Sequence, residues 1–292
     1  MASWAPQQQG LQEVLQTLHE STDMNVAVQR AITHKLNNFI RAPEYIAYLA
    51  YILMDMPQEE NRIRTIAGYL LKNNARLILN STPEVAQYVK AAVLQAFTDE
   101  SVMIRNAAGQ DIVAFLGQLE PRHWPECLQQ LMNTLDSPDL DQQETNVLLY
   151  TKAAFNVLEK ACEDYPGKMD VEINGTRPGP LDFMIPKFLM LANHPSAKMR
   201  SHAVACLSYF VPVGAQSLFV HIDNFIATLF KRASDDDPSV RHHVCQALVL
   251  LLAARPEKLM PEMNNVAEYM LYSTKDKNEN VHQENDKILE GS

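Results

Sequence analysis

The chain has 292 residues, of which 47% are hydrophobic, 21% are charged and only 9 are glycine, so it holds enough apolar material for a continuous core. Its formal net charge of −10 argues against direct binding of nucleic acid, which needs a basic face, and favours a partner with a basic patch. Four scattered cysteines indicate reduced core thiols, and no apolar run approaches the length of a membrane span.

Amphipathic helices occur in pairs along the whole chain. Proline and capping residues mark where the pairs begin, as at Asp237-Pro238, and apolar residues then recur with helical spacing. The pattern predicts six full helix pairs and part of a seventh, interrupted by an inserted loop at 165–180. The predicted repeats are 9–40, 43–79, 83–118, 121–163, 180–212, 215–254 and 256–292.

The pairs repeat with a period of 41 residues. This step places Ile63-Arg64 over Ile104-Arg105, and Met199-Arg200 over Val240-Arg241 and then Val281-His282. A helix pair repeated every forty or so residues is typical of an α-solenoid of HEAT or armadillo repeats, in which each pair buries its apolar stripe against its neighbours. The predicted fold is therefore an all-α solenoid, with an ordinary globular helical domain as the alternative.

The last repeat departs from this pattern. The sequence after Val281 is polar where earlier repeats place apolar residues, and it stops at Ser292. Because a solenoid that ends on half a repeat leaves apolar surface uncovered, the chain is expected to be part of a longer array or to have an altered end.

The motifs of catalysis and cofactor binding are absent from the sequence. It contains no glycine-rich phosphate loop, no G-x-S-x-G and no H-E-x-x-H. Adjacent His242 and His243 would point about 100° apart on a helix and so could not readily share a metal ion. We therefore expect neither enzymatic activity nor a metal or other cofactor.

Four arginines share one position in the repeat: Arg64, Arg105, Arg200 and Arg241. Their register predicts a structural ladder, in which each guanidinium reaches acidic or carbonyl groups of its own or the adjoining turn. A role in binding a partner is the alternative.

Several stretches carry a resemblance to a known family. They include Trp4-Ala5-Pro6, Leu70 to Asn74, Met184 to Leu189, Arg200 to Cys206 and Val266 to Leu271. In these stretches, from about Trp4 to Val281, the chain resembles the transportin, or importin-beta2, type of nuclear import receptor. The resemblance implies the N-terminal part of a longer HEAT-repeat receptor that shuttles between cytoplasm and nucleus.

The resemblance also implies partners. Such receptors bind the GTP-bound form of Ran in the N-terminal half, FG nucleoporins on the outer helices, and cargo with basic signals in the C-terminal half. Lys72, Asn73 and Asn74 match a stretch that faces Ran in the family. Phe225 and Ile226 match a Phe-Ile pair on an outer helix that receives nucleoporin phenylalanines, and Phe183 on the preceding outer helix is expected to complete that groove. Neither nucleic acid nor membrane is an expected partner.

Each of these assignments has a simpler structural alternative. The asparagines could satisfy the end of their helix, and the three apolar residues could be core. At the level of the whole chain, the alternative function is a HEAT-repeat scaffold that does not respond to Ran.

Overall fold

The computed structural model describes residues 4–42, 44–136, 146–170 and 179–273, together with Asp276, Asn278 and Val281. Every regular element in these residues is helical. The α-helices are α1 (Gln8–Glu20), α2 (Val26–Phe39), α3 (Tyr45–Met54), α4 (Asn61–Asn73), α5 (Pro83–Ala96), α6 (Val102–Gln118), α7 (Pro125–Thr134), α8 (Asn146–Asp164), α9 (Pro166–Met169), α10 (Pro180–Leu191), α11 (Ala197–Tyr209), α12 (Gln216–Val220), α13 (Ile222–Arg232), α14 (Pro238–Ala254), α15 (Pro256–Leu259) and α16 (Met263–Ser273). Three 3₁₀ segments lie at Ala75–Asn80, Pro121–His123 and Met260–Glu262.

Local sequence explains where the helices begin. Asp237 caps α14, since its Oδ1 accepts hydrogen bonds from the N–H groups of Ser239 at 2.8 Å and Val240 at 3.3 Å. Pro238 then fills the first turn, where its missing N–H costs nothing. Thr82 and Pro83 start α5 in the same way.

The helices pack in two rows within each of two compact units. One unit comprises residues 1–130 and 149–157, and the other comprises 131–148 and 158–292. In the first unit, α3 packs on α5 and α4 packs on α6; in the second, α10 packs on α13 and α11 packs on α14. We call α3, α5, α10, α13 and α16 first helices, and α4, α6, α8, α11 and α14 second helices.

The core follows the apolar stripe that the sequence predicts. Ile63, Ile104, Met199 and Val240 share one repeat position and are all buried, as is Val281. Glycine permits one close approach, because a Cβ at Gly68 on α4 would lie 2.9 Å from the Cβ of Ala107 on α6. The register read from the sequence is therefore the register of the core.

Some boundaries differ from the sequence prediction. The helix expected from Leu218 to Leu229 is interrupted at His221, whose backbone leaves helical geometry between α12 and α13. The helix expected over 256–273 consists of α15, a 3₁₀ turn that contains Pro261, and α16, since proline removes a helical N–H donor. The inserted loop contains α9, and residues 171–178 lie outside the described part of the chain.

The four cysteines are buried, and none of them forms a disulfide bond. In the described residues, no helix combines the length and hydropathy needed to cross a membrane.

Candidate binding surfaces

Arginines on second helices tie consecutive repeats together in the second unit. Arg200 on α11 binds the carboxylate of Asp235 with two nitrogens, Nε to Oδ2 at 2.8 Å and Nη2 to Oδ1 at 2.6 Å. Its Nη1 also donates to the carbonyl of His194 in the turn before its own helix, at 3.0 Å. Arg200 thus hydrogen-bonds both to the turn before its own helix and to the turn before α14 in the next repeat.

Arg241 repeats this geometry one step along the chain. Its Nε and Nη2 bind the Asp276 carboxylate at 2.7 and 2.9 Å, and its Nη1 donates to the Asp235 carbonyl at 2.8 Å. Hydrogen bonds from Arg241 hold the pKa of Asp276 below its usual value. Burial alone would raise the pKa of Asp235, but hydrogen bonds from Arg200 and the Asp237 N–H outweigh burial and lower it. Both carboxylates are therefore charged at neutral pH.

The first unit contains a similar pair. The Nη2 of Arg64 on α4 lies 2.6 Å from Oδ2 of Asp99. Arg105 on α6 donates to the carbonyls of Asp99 and Glu100 at 2.7 and 2.8 Å, and its guanidinium lies 5.1 Å from the ring centre of Tyr150. All four arginines are engaged with groups of the chain itself.

The sequence predicts acidic groups of the adjoining turn as partners of these arginines, but it does not name which ones. The signal was present, since Asp99, Asp235 and Asp276 each follow their arginine by 35 residues. The same offset from Arg105 falls on residue 140, which lies outside the described ranges.

Lys72, Asn73 and Asn74 lie at the end of α4 and differ in accessibility. Lys72 and Asn73 are exposed, and the Lys72 ammonium donates to Oε1 of Gln110 on α6 at 2.9 Å. The Asn74 amide donates to the carbonyl of Leu70 at 2.7 Å and so satisfies the helix end. Only the first two therefore present free surface to a partner, next to Tyr69, which is 45% exposed.

Phe183, Phe225 and Ile226 also separate in the structure. Phe225 is fully buried and Ile226 is 6% exposed, so both belong to the core beneath α13. Phe183 on α10 is 41% exposed. Of the three, only Phe183 is accessible to a ligand, and the accessible surface at α13 is formed by other residues.

That surface is an open groove between the first helices α10 and α13. Its volume is about 510 Å³, and it is lined by Pro186, Leu189, Met190 and Asn193 from α10 and its end, and by His221, Asn224, Ala227, Thr228 and Lys231 at α13. Phe183 lies three residues before Pro186 and seven before Met190, on the same face of its helix. The groove is therefore lined by both apolar and polar side chains.

A second groove lies one repeat further on, between α13 and α16. It is lined by Phe230, Ala233, Ser234, Asn265, Glu268, Tyr269 and Tyr272. A 41-residue step relates the facing positions, since Met190 corresponds to Lys231 and then Tyr272. A sequence search that followed this register on first helices would have found both grooves.

The described residues contain no group of three or more His, Cys, Asp or Glu side chains arranged to hold a metal ion. Their stacked helix pairs and inter-repeat arginines define the class as a HEAT-repeat α-solenoid, as the sequence predicts. Two family models match within the chain: a HEAT repeat associated with sister chromatid cohesion at residues 78–108, and the Vacuolar 14 Fab1-binding region at residues 183–290.

Comparison with known proteins confirms the family resemblance. The chain is homologous to transportin and importin beta-2. It is 38% identical to transportin-1 of Mus musculus over 279 residues, and 40% identical to importin subunit beta-2 of Schizosaccharomyces pombe over 281 residues. These alignments cover 95% of this chain and 30% of each relative, so the chain spans about a third of the length of the proteins it matches.

Solved structures show the same fold. Kap95p in its complex with RanGDP superimposes with a TM-score of 0.71 at 17% identity, over 95% of this chain and 32% of that one. Kap95 bound to Nup1 superimposes with a TM-score of 0.70 at 18% identity, over 95% and 33%. At this identity, the structural likeness supports the solenoid fold alone.

Proposed function

We propose that this chain is part of a nuclear import receptor that binds Ran-GTP through second helices and FG nucleoporins through first helices. The observation that carries the proposal is the 38–40% identity to transportin and importin beta-2 over 95% of the chain. Such a receptor shuttles between cytoplasm and nucleus, and it binds cargo with basic signals through parts of the protein that this chain does not include.

The Ran surface is centred on Lys72 and Asn73. Lys72 carries an exposed positive charge on a chain whose net charge is −10, and its ammonium is held by the neutral Gln110 amide. A carboxylate of a partner can therefore bind the Lys72 ammonium in place of that amide without breaking an existing ion pair. Support from relatives is indirect, since a Kap95p structure contains RanGDP.

A pull-down with loaded Ran tests this part of the proposal. We expect the immobilised chain to retain Ran loaded with a non-hydrolysable GTP analogue, and to retain much less of the GDP form. Equal capture of both forms, or of neither, would favour the HEAT-repeat scaffold that is independent of Ran.

The nucleoporin surface is the groove between α10 and α13. Leu189 and Met190 offer apolar contact to a phenylalanine ring, with exposed Phe183 on the same helix face beyond the groove lining, while Asn224 and Lys231 offer polar groups to the backbone of an extended peptide. Phe225 and Ile226 contribute from beneath, because their buried side chains fix the helix that forms one wall. The Kap95–Nup1 complex shows that a protein of this fold binds a nucleoporin.

Replacing Met190 tests this groove. Met190 is 57% exposed, so Met190→Asp adds a charge to the groove without opening the core. We expect at least about tenfold weaker binding of a synthetic Phe-Gly repeat peptide, since its ring would meet a charged wall. Met24→Asp is the matched control, because Met24 is 95% exposed and lies outside the groove. Equal affinities of the two variants would exclude Met190 from the site.

A further inference from the structure

A cluster of four aromatic rings lies where the N-terminal segment meets the first helices of the first unit. Trp4 lies before α1, and its indole contacts three tyrosine rings, Tyr48 and Tyr51 on α3 and Tyr88 on α5. The ring centres are 5.5 Å apart for Tyr48, 6.4 Å for Tyr51 and 4.8 Å for Tyr88. The first two contacts are edge-to-face, a favourable arrangement for aromatic rings. We call the surface of these three tyrosines the tyrosine cleft.

The tyrosine cleft is preformed by hydrogen bonds of its own phenol groups. The Tyr88 hydroxyl donates to Oδ2 of Asp55 at 2.6 Å, and the Tyr48 hydroxyl donates to Oε2 of Glu44 at 3.3 Å. Burial and the neighbouring carboxylate raise the pKa of each phenol. Gly10 lets Tyr48 approach α1, since a Cβ there would lie 2.8 Å from the hydroxyl oxygen. These contacts orient Tyr48 and Tyr88 without using Trp4.

Trp4 fills this cleft imperfectly. Its indole Nε1 is buried and has no hydrogen-bond partner among the described residues. A buried donor without a partner opposes burial of its ring, whereas a phenylalanine side chain has no donor to leave unsatisfied. Only Ala5, Pro6 and Gln7 separate Trp4 from α1, so rotations about the backbone bonds of these residues suffice to move Trp4 out of the cleft.

The tyrosine cleft occupies the same position in the repeat as the open grooves. It lies between two consecutive first helices, α3 and α5, just as the open grooves lie between α10 and α13 and between α13 and α16. The grooves between α10 and α13 and between α13 and α16 are open, whereas the cleft between α3 and α5 holds an aromatic side chain from the chain's own N-terminal segment.

We propose that the tyrosine cleft is a docking site for an aromatic side chain of an extended peptide, and that Trp4 occupies it in cis until such a peptide displaces it. The partner is a phenylalanine-containing segment with little negative charge, because Glu44 and Asp55 lie beside the cleft and repel acidic residues. This proposal concerns a surface separate from both Lys72 and Met190, and it stands independently of Ran binding.

The test compares the full chain with its Trp4→Ala variant, both in a Met190→Asp background that weakens the groove between α10 and α13. The probes are a labelled synthetic peptide of this chain's residues 1–9, its Trp4→Ala version, and a Gly-Ser peptide with one phenylalanine. We expect the Trp4→Ala protein to bind the first and third probes about tenfold more tightly than the protein with Trp4. This is the factor by which apparent affinity falls when Trp4 of the same chain fills the site in about nine-tenths of the molecules. The tryptophan-free version of residues 1–9 should not bind.

Two further measurements keep the result specific. Adding Tyr88→Ala to the Trp4→Ala protein should remove the gained affinity. In the protein with Trp4, the phenylalanine peptide should raise the fraction of tryptophan emission quenched by acrylamide, because Trp124 is only 2% exposed and Trp4 is the ring that moves. The proposal is overturned if Trp4→Ala leaves peptide affinity unchanged, if Tyr88→Ala does not matter, or if Trp4 stays protected at saturating peptide. An unchanged far-UV circular dichroism spectrum of Trp4→Ala would show that the helical array remains folded.

Discussion

At the scale of single residues, Asp111 on α6 is an unusual group in the core of the first unit. It is fully buried, and neither carboxylate oxygen has a hydrogen-bond partner among the described residues. Burial raises its pKa well above the usual value, although the nearby charge of Lys72 opposes the shift. Asp111 is therefore expected to hold a proton in the folded state.

Replacing this side chain should give a stability gain that depends on pH. The unfolded chain releases the Asp111 proton near pH 4 while the folded chain keeps it, so the folded state loses up to about 1.4 kcal/mol per pH unit until its raised pKa is reached. Asp111→Asn cannot ionise and escapes this loss. Urea unfolding at pH 4.5 and pH 7 should show the variant gaining on wild type as pH rises.

The control for this prediction is Asp223→Asn, at an exposed carboxylate in the first turn of α13. It should show no comparable gain between the two pH values. An Asp111→Asn difference that is the same at both would mean that Asp111 is ionised in the folded chain.

Residue roles were the part of the structure that the sequence predicted least well. The 41-residue register placed Arg64, Arg200 and Arg241 in equivalent positions, but their carboxylate partners depend on how one repeat rotates against the next. Phe225 and Phe183 both fit an apolar helix face, yet one is core and the other is surface. Periodicity locates a face but does not say how far the neighbouring helix covers it.

At the scale of elements, the contact between α11 and the turn before α14 depends on a buried ion pair. The Asp235 side chain is 2% exposed and receives two hydrogen bonds from Arg200. Lysine carries the same charge but cannot bind both oxygens in a fork, so Arg200→Lys should cost roughly 1–2 kcal/mol of unfolding free energy. Arg200→Met should cost more, about 3 kcal/mol, because it leaves the carboxylate with fewer partners.

Chemical unfolding of the three proteins at pH 7 measures this order, with exposed Arg62→Lys as the control. The pH dependence has a definite sign. Because the pKa of Asp235 is lowered, its ion pair stabilises the fold above the unfolded value near 4, and the stabilisation is lost as pH falls through the folded pKa. The cost of Arg200→Met should therefore shrink in acid. A cost that is constant with pH would assign it to lost packing of the arginine stem.

Helix pairing was predicted well because proline, capping residues and apolar spacing are all local signals. The breaks at His221 and at 260–262 were not predicted, since apolar residues continue with helical spacing across both. At these points the backbone follows the packing of its neighbours in preference to its own periodicity.

At the scale of the whole molecule, the chain keeps its inter-repeat contacts separate from its accessible surfaces. The four arginines bind groups within the chain, whereas Lys72, Asn73 and the groove between α10 and α13 remain open. Changes at the open positions should therefore alter partner binding without altering stability.

Lys72→Glu is the sharpest test of that separation. The side chain is exposed, its ammonium donates one hydrogen bond to Gln110, and the nearby buried Asp111 is expected to hold a proton, so the melting temperature should not fall measurably. Reversing the charge should weaken binding of Ran-GTP by at least about tenfold, since a favourable charge contact becomes a repulsion. Lys258→Glu on α15 is the matched control, because it makes the same change in net charge at an exposed site far along the sequence. Titration calorimetry at two salt concentrations would separate a local contact from a general charge effect. If the contact is local, only Lys72→Glu weakens binding of Ran-GTP. Equal losses of affinity in both variants would show that Ran responds to the charge of the whole chain, and would remove Lys72 from the proposed surface.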